Sequence, residues 1–194
     1  MSVVPSGYWF AAAAVCIAAP ASAGPADWPD LTPIRLHAGV NKIVDIAGDG
    51  KPGTIRLDWR DNGNAWSYDI FTVKVKGSIA TVDGKDRFTD SPHTGEDVIA
   101  SVRFARGTHR GRTTTFALVS HREVAESVPD PAVTTITLYA LERNTGGLGT
   151  PYIFTKVAKV TPERLYCHAD MALKTELGFP LTKSYDGLPS IDGC

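Results

Sequence analysis

No lysine, arginine, aspartate or glutamate occurs between Met1 and Ala26. Within that uncharged stretch, Tyr8 to Ala19 is dominated by Ala, Val, Ile and aromatic residues, and Pro20 and Ala21-Ser22-Ala23 follow it. An apolar run ending in a small-residue tripeptide reads as a secretion signal cleaved after Ala23. The run is shorter than the roughly 20 residues that cross a bilayer and has no flanking charge to hold it there. Val15 ahead of Cys16 is a poor match to the small residue that precedes a lipid-attachment cysteine. The expectation is a signal peptide at 1–23 and a single mature domain at 24–194. It would be periplasmic or secreted, with no membrane anchor after cleavage.

The mature part also lacks a charge excess: the formal net charge is −1, and because the leader is uncharged this belongs to the domain. A nucleic-acid partner would call for a basic surface and is not expected. Basic residues do gather at Arg103, Arg106, His109, Arg110 and Arg112, but Gly107 and Gly111 among them mark a solvated hairpin tip. Cysteine is scarce as well. Of three in the chain, only Cys167 and Cys194 survive cleavage, and an even pair in an oxidising compartment reads as a disulfide.

Catalytic signatures are missing too. No serine is followed three residues later by lysine, and there is no Gly-x-Ser-x-Gly, so the serine acyl-transfer motifs are excluded. The histidines at 37, 93, 109, 121 and 168 form neither His-x-His nor His-Glu-x-x-His, which removes the usual zinc-hydrolase spacings. No glycine loop of the phosphate-cradling kind is present. His168-Ala169-Asp170 reads as structural. The chain is expected to be neither an enzyme nor dependent on a cofactor.

What is there is mostly strand. Ile55, Leu57 and Trp59 alternate with Thr54, Arg56, Asp58 and Arg60, the period of a half-buried strand. Phe71, Val73 and Val75 share a face of a second strand; Val98, Val102 and Phe104 mark a third, Phe116 and Leu118 a fourth, and Ile136, Leu138 and Ala140 a fifth. Turn-rich stretches such as Asp61-Asn62-Gly63-Asn64 and Asp83-Gly84-Lys85 separate them, which points to antiparallel neighbours. Near the end, Thr161-Pro162-Glu163 supplies a cap, a first-turn proline and an acid, so a helix is expected from there. Leu165, Ala169, Ala172, Leu173 and Leu177 recur at helical spacing, Cys167 falls on the helix, and Gly178 and Pro180 stop it. The tail to Cys194 has no period, and a Cys167–Cys194 bridge would tie it back with about 3 to 4 kcal/mol in the chain-entropy model. The fold class expected is mainly β (α+β): an antiparallel sheet or sandwich, one C-terminal helix and a disulfide-tethered tail.

Two stretches invite a ligand. Asp45-Ile46-Ala47-Gly48-Asp49-Gly50-Lys51-Pro52-Gly53 has the alternating acids and glycine turn of a calcium loop, but Ala47 and Gly53 stand where oxygen ligands belong. With only Asp45 and Asp49 left, it reads as a degenerate loop that binds no metal. The second is Trp59-Arg60-Asp61-Asn62-Gly63-Asn64-Ala65-Trp66-Ser67-Tyr68-Asp69. Asn and Asp commonly satisfy turn backbones through their own side chains. The functional version makes Arg60, Asn62 and Asn64, walled by Trp59 and Trp66, a recognition patch for a small anionic ligand, since an Arg fork suits a carboxylate.

Together with Gly39-Val40-Asn41-Lys42, the Asp45–Gly53 loop, Tyr166-Cys167-His168-Ala169-Asp170 and Ile191-Asp192-Gly193-Cys194, this stretch resembles the carbapenem self-resistance (CarG-like) family. The resemblance implies a periplasmic protein that protects against a carbapenem without hydrolysing it, by binding the drug or shielding its targets. The alternative is a structural or protein-interaction module of the cell envelope that holds another protein on an exposed sheet face or edge.

Overall fold

The structure, a computed structural model, describes residues 28–63, 67–90 and 98–180. The leader and the tail with Cys194 therefore lie outside the described residues. In chain order the elements are β1 (Thr32–Ile34), β2 (Gly39–Ile43), β3 (Gly53–Arg60), β4 (Tyr68–Val75), β5 (Ser78–Val82), β6 (Phe88–Asp90), β7 (Ala100–His109), β8 (Arg112–Arg122), β9 (Thr134–Arg143), β10 (Tyr152–Val160) and α1 (Ala169–Leu177). None of the described helices is long and apolar enough to cross a membrane.

The strands join into one sheet in the order β1-β7-β8-β9-β10-β5-β4-β3-β2, with β6 paired to β4. This corrects two expectations. The sheet is continuous rather than a sandwich of separate sheets, and it is mixed, because β5 and β10 run parallel, with Tyr152 beside Ala80 and Phe154 beside Val82. It curls until its two arms face each other. Phe71 of β4 lies 5.6 Å from Phe104 of β7, and Phe88 of β6 lies 4.9 Å from Phe154 of β10. Strands far apart along the sheet thus share one core, which also holds Ile55, Val73, Val75, Val102, Ala117, Tyr139 and Leu141.

A second core occupies the opposite face of the longer arm, where Phe116, Leu118, Ile136, Leu138 and Ala140 pack under Tyr166, Ala172, Leu173 and Phe179. Strand β8 is therefore buried on both faces, and its run Phe116-Ala117-Leu118 is apolar without alternation, as such strands are. Strand β10 was missed by period because its register shifts between Lys156 and Ala158. Such a bulge moves the later residues to the other face, so Tyr152 and Phe154 join the first core while Val157, Ala158 and Val160 pack on the second.

The helix begins later than expected. Tyr166 exchanges two 3.0 Å backbone hydrogen bonds with Ala132, which holds the chain extended past the anticipated Thr161-Pro162 start. His168 is the N-cap residue, with extended backbone angles, and Ala169 N–H donates to the Val98 carbonyl at 2.8 Å. Leu165 is consequently exposed, and Cys167 sits just before the helix rather than on it. The stop is where the sequence puts it: Gly178 adopts φ 69° and its N–H donates to Lys174, while Phe179 N–H reaches Leu173. Glycine takes that left-handed turn without the steric cost other residues bear.

Candidate functional site

The expected hairpin tip holds only part of the basic cluster, His109, Arg110 and Arg112. Only Arg110 and Gly111 make the turn between β7 and β8, while Arg103 and Arg106 lie back along β7 and are engaged inside. Arg106 donates to the Ile46 and Asp45 carbonyls at 2.9 Å each, to Thr115 Oγ1 at 2.9 Å and to the Thr113 carbonyl at 3.3 Å. The degenerate loop is thereby explained in physical terms. Its carbonyl oxygens face a guanidinium, and Asp45 Oδ1 is used by Gly50 N–H at 2.6 Å to close the turn. Among the described residues no three His, Cys, Asp or Glu side chains converge as a metal site would need.

The loop is pressed onto the sheet. Ile46 is fully buried, its carbonyl accepts from Thr115 N–H at 3.0 Å, and a Cβ on Gly48 would stand 2.5 Å from the Thr113 carbonyl. Only a glycine permits that approach at φ +69°. Held this way, the loop forms one wall of a groove of about 830 Å³. The other walls are the β7–β8 turn and the connection from β9 to β10, with Leu141, Thr114 and Tyr152 among the lining residues.

The groove's charges fall into two sets. Lys51, Arg110, Arg112 and Arg143 line it against Asp49 and Glu142, four fixed positive charges to two negative. Lys51 Nζ lies 3.1 Å from Asp49 Oδ2 and 3.0 Å from the Tyr152 hydroxyl, which donates to Asp49 at 2.7 Å. Burial pushes the Asp49 carboxyl up, but hydrogen bonds from Tyr152 and Lys51 outweigh it and leave Asp49 below the usual carboxylate range. Arg110 Nη1 pairs with Glu142 Oε2 at 2.9 Å, and His109 Nε2 lies 3.9 Å from the same oxygen. Among the described residues Arg112 and Arg143 have no ion-pair partner.

The patch anticipated from the sequence lies elsewhere. Arg60 is exposed in the last β3–β4 pair, opposite Tyr68, Asn62 is exposed beyond it, and Trp59 is 55% exposed. Asp61 Oδ1 accepts from Gly63 N–H at 2.8 Å and Ser67 Oγ at 3.4 Å, the turn-closing role of an Asx residue. Asn64 and Trp66 lie outside the described residues. Because Gly53 and Arg60 are opposite ends of β3, the groove and this patch are separated by the length of a strand, about 23 Å at 3.3 Å per residue. Sequence reasoning missed the groove because its walls come from three loops distant in the chain. Lys51 was the available signal: a cation in a loop laid out like a calcium loop is the reverse of what a metal site wants.

A third polar assembly is buried between β6, β7 and the start of α1. Arg103 Nη1 lies 3.3 Å from Asp90 Oδ2, which also accepts from Val102 N–H at 3.2 Å, and Arg103 Nη2 is 3.9 Å from Asp170 Oδ2. His168, read as structural, accepts through Nδ1 from Val98 N–H at 3.3 Å. Burial pushes Asp90 up to about 7 against the pull of Arg103 and the Val102 N–H, and Asp69 and Asp170 add to the rise. Burial also raises Asp170 against Arg103 and His168. The group is closed off by the sheet and helix, which suits an anchor for α1 rather than a ligand site.

No family model matches the chain, and no curated protein does. Among solved structures, the crystal structure of CarG superposes with a TM-score of 0.57, at 23% identity, covering 75% of this chain and 95% of that chain. At that identity the likeness is one of fold: this chain has a CarG-like fold.

Proposed function

We propose that this is a non-enzymatic binding protein that works outside the cytoplasm and protects against a small anionic antibiotic of the β-lactam kind, as the CarG-like resemblance implies. The observation that carries the reading is the groove, a concave site with an excess of positive charge over an apolar floor. Ligand sites commonly combine apolar walls with a few fixed polar groups. The CarG-like fold supports the same reading. Calorimetric titration of the mature protein with a carbapenem is expected to show saturable binding while the ring's ultraviolet absorbance decays no faster than in buffer. Catalytic loss of absorbance would make the protein a hydrolase instead.

The alternative, an interaction module of the envelope, draws on β2, the terminal strand of the sheet among the described residues, where Val40 is 48% exposed. An edge strand can pair with another chain.

The Cys167–Cys194 bridge belongs with the export reading. Cys167 is buried just ahead of α1, so a bridge there would fasten the tail beside the helix. Non-reducing digestion and mass spectrometry are expected to find one intramolecular Cys167–Cys194 peptide pair and no titratable thiol; two free thiols would rule the bridge out.

A further inference from the structure

We propose that the groove takes a small organic dianion, a compact molecule with two carboxylates on a short apolar body, held by Arg112 and Arg143; this rests on the binding-protein reading above and gives it a place and a chemistry. Four cations line the groove, but they are not equivalent. Lys51 is occupied by Asp49 and Tyr152, and Arg110 by Glu142. Subtracting those internal pairs leaves two guanidiniums, Arg112 and Arg143, without a carboxylate among the described residues.

A guanidinium presents a rigid fork of donors that fits a carboxylate through two parallel hydrogen bonds. Two such forks on one groove call for two acceptor groups. The floor favours an organic ligand over an inorganic ion, since Leu141 and Ala47 are buried apolar residues that line it. The walls are held in place before any ligand arrives: Arg106 and Thr115 fix the loop carrying Ala47 and Asp49, and Thr114 Oγ1 donates to the Leu141 carbonyl at 2.6 Å. A site so organised binds without first ordering its own loops.

The test is calorimetric titration of the mature protein with succinate and glutarate, with butyrate, inorganic phosphate and neutral succinamide as comparison probes. The dicarboxylates are expected to bind best, succinamide not measurably, and the affinity to fall as salt rises. Arg112→Gln and Arg143→Gln should each weaken dicarboxylate binding by about tenfold or more, the scale of one charge-assisted contact, with the melting temperature unchanged because both side chains are exposed. Equal binding of succinamide, tighter binding of phosphate, or dicarboxylate affinity untouched by both substitutions would overturn the proposal. Carbapenem titration of the double variant separates the two readings. If the drug binds the parent and the double variant alike, the protection reading stands and the groove assignment falls. If dicarboxylates bind through the two arginines and the drug does not bind at all, the reverse holds.

Discussion

Arg103→Met is expected to destabilise the protein by about 3 to 5 kcal/mol, which for a domain of this size lowers the melting temperature by roughly 10 °C. The guanidinium is the cation shared by two nearly inaccessible carboxylates, Asp90 at 3.3 Å and Asp170 at 3.9 Å, with side chains 4% and 2% exposed. Methionine fills similar volume but leaves both acids without their counter-charge, and an uncompensated buried charge costs far more than an intact pair gains. Arg103→Lys should fall in between, since it keeps the charge and loses the fork. Adding Asp90→Asn and Asp170→Asn to Arg103→Met should recover much of the loss. Thermal and urea melts of the four proteins make the test; a single Arg103→Met variant as stable as the parent would show that water or neighbouring chain already compensates the acids.

The protein is also expected to become more stable on acidification from about pH 8 to about pH 5, by a few kcal/mol and with a rise in melting temperature of several degrees. Asp90 has its folded pKa raised to about 7 from 3.8, burial being the main cause. A raised carboxyl contributes stability that is complete below its unfolded value and disappears as pH climbs through the folded one, so the window runs from about 4 to about 7. Asp170 is shifted in the same direction. The titratable and charged groups acting on the pair are Arg103 from β7, Asp69 from β4 and His168 at the head of α1. Asp86, which hydrogen bonds from Arg87 hold low, and Asp49 titrate below this window. Asp90→Asn should flatten the profile and be the more stable protein above pH 7 or so. A melting temperature that falls between pH 8 and pH 5 in the parent would contradict the assignment.

How much of this could be read from residues alone depended on whether the cause was local. Strands β3 and β4 announce themselves because one face is buried and the other wet, which makes Ile55 and Val73 alternate with Arg56 and Lys74. Gly178 stops α1 by a backbone preference that is purely local. The helix start was misplaced because Thr161-Pro162-Glu163 is a competent local signal overridden by Tyr166 pairing with Ala132. Arg103 and Arg106 looked solvated for a similar reason. Their partners, Asp90, Asp170 and the Asp45–Ile46 carbonyls, are distant in sequence and meet only after the sheet has curled. The groove obeys the same rule. The Arg60 end of β3 was legible as a polar turn, and the described part of it is that: Asp61 serving its own backbone.

The parallel contact of β5 with β10 has a kinetic consequence. Every other pairing among the described residues of the sheet is antiparallel, most of them between strands adjacent in the chain. Hairpins such as β7–β8 can form early for a small loss of chain entropy. Joining β10 to β5 instead closes a loop that contains four whole strands, β6 to β9, and no curled core exists until that loop is shut. Distant closures of this kind slow folding. Refolding should therefore be limited by this one seam. The long β7–β10 arm would gain protection from hydrogen exchange first, and β3 and β4 would gain it only when Tyr152 finds Ala80.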